Sequence, residues 1–182
     1  MSPETPDEQL MEEIRDGNAR AFQILYERHH KAVFNFLLRH IGNQAIAEEL
    51  LQETFLRVYL ARDRYRPTAT LRTWLFTIAR NLSLDILRQK RPDREHQVPE
   101  LLEGLADPAP TAVQKIEGEE LAQRLTQAIA CLPSSQREVL LLSRFGGLTH
   151  EEIAAVTETS PGAVRVNLHR ALGHLKAILG SL

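Results

Sequence analysis

One cysteine, Cys131, stands in a chain of 182 residues, so no intrachain disulfide can form. A lone thiol of this kind is expected to be packed inside a soluble fold rather than to act as a redox switch. No run approaches the roughly 18 apolar residues of a membrane span. The opening residues Ser2, Pro3, Glu4, Pro6, Asp7 and Glu8 are acidic, unlike the basic and then apolar profile of a secretory signal. The expectation is a cytoplasmic protein with no membrane insertion. Strand-type alternation is nearly absent, and so is a glycine-rich Walker loop, the usual phosphate cradle of a nucleotide hydrolase. The seven histidines include His29-His30, but His150-Glu151-Glu152 is followed by Ala154 where a zinc motif needs its second histidine. No catalytic residue, cofactor or metal site is expected, and the chain is read as a non-enzyme.

What the chain does have is a folded composition, 43% hydrophobic, and a segregated charge hidden by a net of -2. From Arg57 to Arg94 ten cations face three anions, a net of +7, a block suited to phosphates. From Glu95 to Glu120 seven acids face Lys115 alone, a net of -6. A solvated helical face accounts for either block singly. Their abrupt succession points to a chain that meets nucleic acid in one place and avoids or mimics it in another.

Helical periodicity recurs throughout, which makes the fold class all-α. Leu37, Leu38 and Ile41 close one helix before the Gly42-Asn43 break, and Leu51, Phe55 and Val58 stripe the next. A further helix runs from about Leu71 to Lys90, with Leu71, Leu75, Ile78, Leu82 and Ile86 on one face and Pro92 as its limit. Between Arg91 and Thr111 lie four of the nine prolines with little periodicity, the pattern of an extended linker. Two small helical domains follow. The boundaries are 1–20 for an acidic extension, 21–91 for the first domain, 92–111 for the linker and 112–182 for the second domain. The second domain is expected to hold a helix to Leu132, another from Ser134 or Ser135 to Phe145, and a turn at Gly146-Gly147.

Its last two helices carry start signals. Thr149 and Glu152 stand at capping-box spacing, and Ser160-Pro161 gives an N-cap followed by proline at the first helical position. With only Thr157, Glu158 and Thr159 between them, the two helices fit a helix-turn-helix. On the second helix Val164, Leu168, Ala171, Leu175 and Ile178 form the inward stripe. The opposite face carries Val166, His169 and Arg170, flanked by Arg165 and Asn167. Arginine pairs with guanine or clamps phosphate, asparagine reads adenine, and Val166 suits a thymine methyl. An ordinary helical hairpin with a solvated basic face is the plainer account of the same spacing.

The run Leu132-Pro133-Ser134-Ser135-Gln136-Arg137-Glu138-Val139-Leu140-Leu141-Leu142, followed by Gly147-Leu148-Thr149-His150-Glu151-Glu152-Ile153-Ala154 and by Leu168-His169-Arg170-Ala171, resembles domain four of bacterial sigma factors of the extracytoplasmic-function (ECF) group, in the sigma-70 family. Ala47-Glu48-Glu49-Leu50-Leu51-Gln52-Glu53-Thr54-Phe55-Leu56-Arg57-Val58-Tyr59 and Thr73-Trp74-Leu75-Phe76-Thr77-Ile78-Ala79-Arg80-Asn81-Leu82-Ser83-Leu84-Asp85 are similar to sigma domain two. The resemblance covers about Ala21 to Leu179. It implies a promoter-reading subunit of RNA polymerase that also promotes strand opening.

That resemblance carries roles for particular residues. Glu49, Leu50, Gln52, Glu53 and Phe55 match positions that contact the β′ clamp helices of core RNA polymerase, and the β flap is implied for the second domain. Arg64, Tyr65, Arg66, Arg72, Trp74, Thr77, Arg80, Asn81 and Arg88 match the surface that melts and holds the downstream (minus-ten) element. The loop 64–70 is similar to the loop that captures a flipped base. Arg137, Thr149, Gly162, Ala163, Arg165, Val166, Asn167, His169 and Arg170 match the reader of the upstream (minus-thirty-five) element. The resemblance also implies an anti-sigma protein as a partner beside promoter DNA, and a linker threaded through polymerase channels. Ala163, Val166 and Asn167 depart from the Thr, Ser and Arg frequent in the family, so fewer polar contacts to the upstream element are expected. A duplex-binding regulator that replaces no sigma factor is the rival reading. It needs neither the Trp74 to Asn81 surface nor the Glu49 to Glu53 face.

Overall fold

The computed structural model describes residues 5–66, 69–89 and 124–180, and among them there is no strand. The helices are α1 (Asp7–Arg15), α2 (Ala19–Ile41), α3 (Gln44–Leu60), α4 (Leu71–Gln89), α5 (124–130 of the described residues), α6 (Ser134–Arg144), α7 (His150–Thr157) and α8 (Pro161–Gly180). A short 3-10 turn, Arg62–Arg64, follows α3. The linker 92–111 and the start of the second domain lie outside the described residues.

Local chemistry explains the boundaries. Asn18 starts α2 by accepting the amides of Arg20 and Ala21, and Asn43 starts α3 by accepting the Ile46 amide. Between those helices Gly42 takes the left-handed conformation, φ 74°, that lets α2 end and α3 turn back along it. Thr70 opens α4, its hydroxyl accepting the Thr73 amide at 3.3 Å. In α7 the capping box is complete: the Thr149 hydroxyl accepts the Glu152 amide, and the Glu152 carboxylate accepts the Thr149 amide at 2.9 Å. Ser160 likewise accepts the Ala163 amide at the start of α8.

The first bundle is α1 to α4. The stripes expected in α3 and α4 are its core: Leu51, Phe55, Val58, Leu71, Leu75 and Leu82 are buried with Phe36, Leu37 and Phe76, while Ile78 and Ile86 are partly covered. The segment before Gly17 joins them. Helix α1 sets Leu10, Met11 and Ile14 into the core against α2 and the 3-10 turn. Its Asp7 carboxylate pairs with Arg28 and accepts from His29 Nε2 at 2.7 Å. Burial works to raise the Asp7 carboxyl, but His29 and Arg28 outweigh it and hold it below the usual carboxylate value.

The second bundle packs α6, α7 and α8 around Leu141, Leu142, Ile153, Val156, Val164 and Ala171. Cys131, expected to be packed, is exposed. It falls between the end of α5 and Leu132, and it is Leu132 that turns inward.

The two bundles touch. Helix α7 lies against α4, and α6 lies against α2. Arg80 Nε donates to Glu138 Oε1 at 2.7 Å, with both side chains almost enclosed, 14% and 12% exposed. Thr70 and Thr73 hydroxyls donate to Glu152 Oε1 at 2.7 and 3.2 Å. The guanidinium of Arg39 lies 4.5 Å from the Phe145 ring centroid.

Candidate nucleic-acid interface

Beside its core stripe, α4 carries the expected strand-handling residues. Trp74, Thr77 and Arg80 are half-buried, and Arg72, Asn81 and Arg88 are exposed. Trp74 leans on Tyr65 with ring centroids 5.1 Å apart, so α4 and the loop after the 3-10 turn present a joint aromatic surface. Around this pair is a cavity of about 490 Å³ lined in part by Arg64, Tyr65, Arg66, Trp74 and Thr77. The Tyr65 hydroxyl is buried near Glu8 and Asp7 of α1, without a hydrogen-bond partner. Burial first, then the nearby carboxylates Glu8 and Asp7, push its pKa up, so it stays protonated and keeps a proton to donate. An aromatic wall and two adjacent guanidinium groups are the ingredients for holding an unstacked base and its phosphates. Residues 67 and 68 of the expected capture loop lie outside the described residues.

On α3 the expected docking residues divide. Glu49 and Gln52 are exposed, and Glu53 is half-buried and paired with Arg57 at 2.7 Å. Leu50 and Phe55 belong to the core, so they position the helix and offer no surface, a correction to the expectation that they touch a partner. Phe55 turns toward α2, where it meets Phe22 and Tyr26. In their place the same helix exposes Leu56, Tyr59 and Leu60, the last 65% exposed. Exposed apolar residues beside acids are a stronger docking signal than the acids alone, and their i, i+3 and i+4 spacing in the sequence carries it.

The outer face of α8 matches the sequence reading. Arg165, Val166, His169 and Arg170 are exposed, and Asn167 is half-buried. Gly162 and Ala163 lie in the first turn, and Thr149 serves as the α7 cap. Arg137 is not on that face: its guanidinium donates to the Ala130 carbonyl at 3.2 Å and braces the α5–α6 turn.

Sequence reasoning did not find the contacts between bundles. Glu138, Glu152 and Ala155 cover part of the α4 surface: Ala155 lines the aromatic cavity, and a Cβ on Gly147 would come within 3.1 Å of Arg72 Nη1. Burial works to raise the Glu152 carboxyl, but the Thr149 amide and the hydroxyls of Thr70, Thr149 and Thr73 outweigh it and hold it below the usual carboxylate value. Behind Arg80, His40 is buried and donates from Nδ1 to Ser83 Oγ, since Ser83 gives its own proton to the Arg80 carbonyl. Among the described residues no group of His, Cys, Asp and Glu could hold a metal ion, and no helix is long and apolar enough to cross a membrane.

Two segments match known families: residues 25–92 match Sigma-70 region 2, and residues 122–175 match Sigma-70, region 4. The chain is 40% identical to RNA polymerase sigma factor CarQ of Myxococcus xanthus, over 94% of this chain and 97% of that protein. It is 34% identical to the ECF RNA polymerase sigma factor RpoE of Cereibacter sphaeroides, over 92% and 91%. Among solved structures it is similar to CnrH in complex with the cytosolic domain of CnrY, with 27% identity, a TM-score of 0.73 and coverage of 96% and 97%.

Proposed function

The chain belongs to the sigma-70 family of RNA polymerase sigma factors, in its ECF group, and from that membership we propose how its two bundles divide the work of initiation. As a sigma factor it binds core RNA polymerase, directs it to specific promoters and promotes strand opening. Factors of this family are non-catalytic, and turnover belongs to the polymerase. Promoter DNA and core polymerase are its partners, together with a restraining anti-sigma protein.

In the proposed division residues 112–182 read the upstream duplex through Arg165, Val166, Asn167, His169 and Arg170. Residues 21–91 dock on β′ through Glu49, Gln52 and Glu53, to which we add Leu56 and Leu60. They then hold the opened strand on Trp74, Tyr65 and Thr77, with Arg64, Arg66, Arg72 and Arg80 along its phosphates. The observation that carries the strand assignment is the cavity beside Trp74, with the tilted Tyr65 ring and the Arg64 and Arg66 side chains in its wall. A base entering it would stack on the rings, with the two guanidinium groups near its phosphates. Each grip is weak alone, and polymerase raises the effective concentration of one for DNA held by the other. The linker 92–111 is assigned as the tether between them.

The test is transcription reconstituted from core polymerase, this chain and genomic DNA, with the transcript starts sequenced. Starts that share two spaced elements upstream support the reading. Starts that appear only when a second sigma factor is added would return the chain to the class of duplex-binding regulators.

A further inference from the structure

Where α4 packs on α2, a buried polar pair interrupts an otherwise apolar contact. His40 on α2 donates from Nδ1 to Ser83 Oγ on α4 at 2.8 Å, and Ser83 donates its own proton to the Arg80 carbonyl at 2.7 Å. One turn earlier on α2, Phe36 stacks on the His40 ring and meets Phe76 of α4 edge-on, with centroids 5.6 Å apart. Apolar side chains hold a helix down without fixing one orientation, because such cores repack and lose uniqueness before they lose stability. A hydrogen bond is directional, and a buried one is costly to leave unmade, so it selects one rotation of the helix. The relay from imidazole to hydroxyl to carbonyl strengthens each of its bonds.

The place of the bond on α4 gives it a use. At about 100° per residue, Ser83 lies on the side of the helix opposite Trp74 and Asn81. A grip on the back of a helix sets where its front points. Stability does not account for the pair, since an apolar pair of the same volume would hold the helices together as well. It would also escape the cost in acid of a ring whose pKa burial holds down at about 3. We propose that His40 and Ser83 are positioning residues, which fix the rotation of α4 on α2 and so aim Trp74, Thr77 and Asn81 at the opened strand. Neither side chain touches DNA, and both act through α4. This rests on the assignment of α4 to the opened strand.

The experiment uses the full chain with core polymerase on a promoter carrying a base-analogue fluorophore in the downstream element. His40→Leu with Ser83→Ala removes the bond and keeps the space filled. His40→Asn is smaller, but its Nδ2 stands where Nδ1 stood and still donates to Ser83. The expected result is a split between stability and opening. The double variant unfolds at a urea midpoint no lower than the native one at pH 7, forms closed complexes normally and opens the promoter about fivefold more slowly. In the free chain its near-UV circular dichroism band from Trp74, the only tryptophan, shrinks as α4 loses its single orientation. His40→Asn unfolds at lower urea, because it leaves a cavity, yet opens the promoter within about twofold of the native rate. Ser83→Ala alone should show the same slowing as the double variant, and it deletes a single oxygen, so the test does not depend on the double variant folding. Opening rates that simply follow the urea midpoints would overturn the proposal, leaving the pair as core packing. So would a double variant that opens at the native rate. A native chain that opens no promoter with core polymerase is a different result, which would sink the underlying reading and this proposal with it.

Discussion

At the scale of single residues, burial and hydrogen bonding decide what a side chain can do. His40 looks like any histidine in the sequence, but in the fold it is 5% exposed, stacked on Phe36 and bonded to Ser83. Burial, with Arg137 and Arg80 nearby, pushes its pKa down to about 3. In the unfolded chain it titrates near the ordinary 6.5. The unfolded state therefore takes up a proton first as pH falls. The stability tied to neutral His40 is complete above pH 6.5 and is lost progressively from there toward pH 3. The loss amounts to roughly 2 kcal/mol at pH 5. Urea unfolding at pH 7 and pH 5 should show that difference, and His40→Gln should flatten it. An equal slope in both proteins would remove His40 as the cause. Val166, 47% exposed on α8, poses a different question. Against a thymine methyl it gains apolar contact, so replacing that thymine by uracil in the upstream element should weaken binding several-fold, about 1 kcal/mol. Unchanged affinity would leave Val166 without a role in reading.

At the scale of elements, a short helix depends on its ends. Helix α7 has eight residues, too few to hold in isolation, and its capping box supplies donors and acceptors that its own turns lack. Thr149→Ala should cost about 1 kcal/mol in thermal or urea unfolding. The same change should loosen the contact between bundles, because the Glu152 carboxylate that accepts the Thr149 amide also receives Thr70 and Thr73. Capping chemistry is written in neighbouring residues, so the starts of α7 and α8 are legible from Thr149, Glu152, Ser160 and Pro161. Core stripes are legible for the same reason: Leu51, Phe55 and Val58 recur at helical spacing and are buried. Leu50 and Phe55 mark the limit of borrowed roles. A matching motif says that a helix is the docking helix, and only its packing says which of its side chains are left outside.

At the scale of the whole molecule, the proposed division into two grips on DNA predicts that they are separable in kinetics. Trp74→Ala removes a stacking wall and should slow promoter opening, followed with a base-analogue fluorophore, while leaving closed-complex formation within about twofold. Arg170→Ala should do the reverse, weakening closed-complex formation about tenfold and leaving the opening step nearly intact. Equal effects of both substitutions on both steps would dissolve the proposed division.

The all-helical class, the helix starts, the exposed basic face of α8 and the aromatic and cationic character of α4 were determined by the sequence alone, because each depends on residues within a turn or two of one another. Other features were decided only by the tertiary structure. The joining of α1 to the first core, the exposure of Cys131, the depressed basicity of His40 and the meeting of Arg80 with Glu138 all required the folded chain. Arg80 and Glu138 are 58 positions apart and Thr70 and Glu152 are 82 apart. No local pattern encodes such meetings. They arise when two amphipathic bundles pack together and bring to one surface charges that were written far apart.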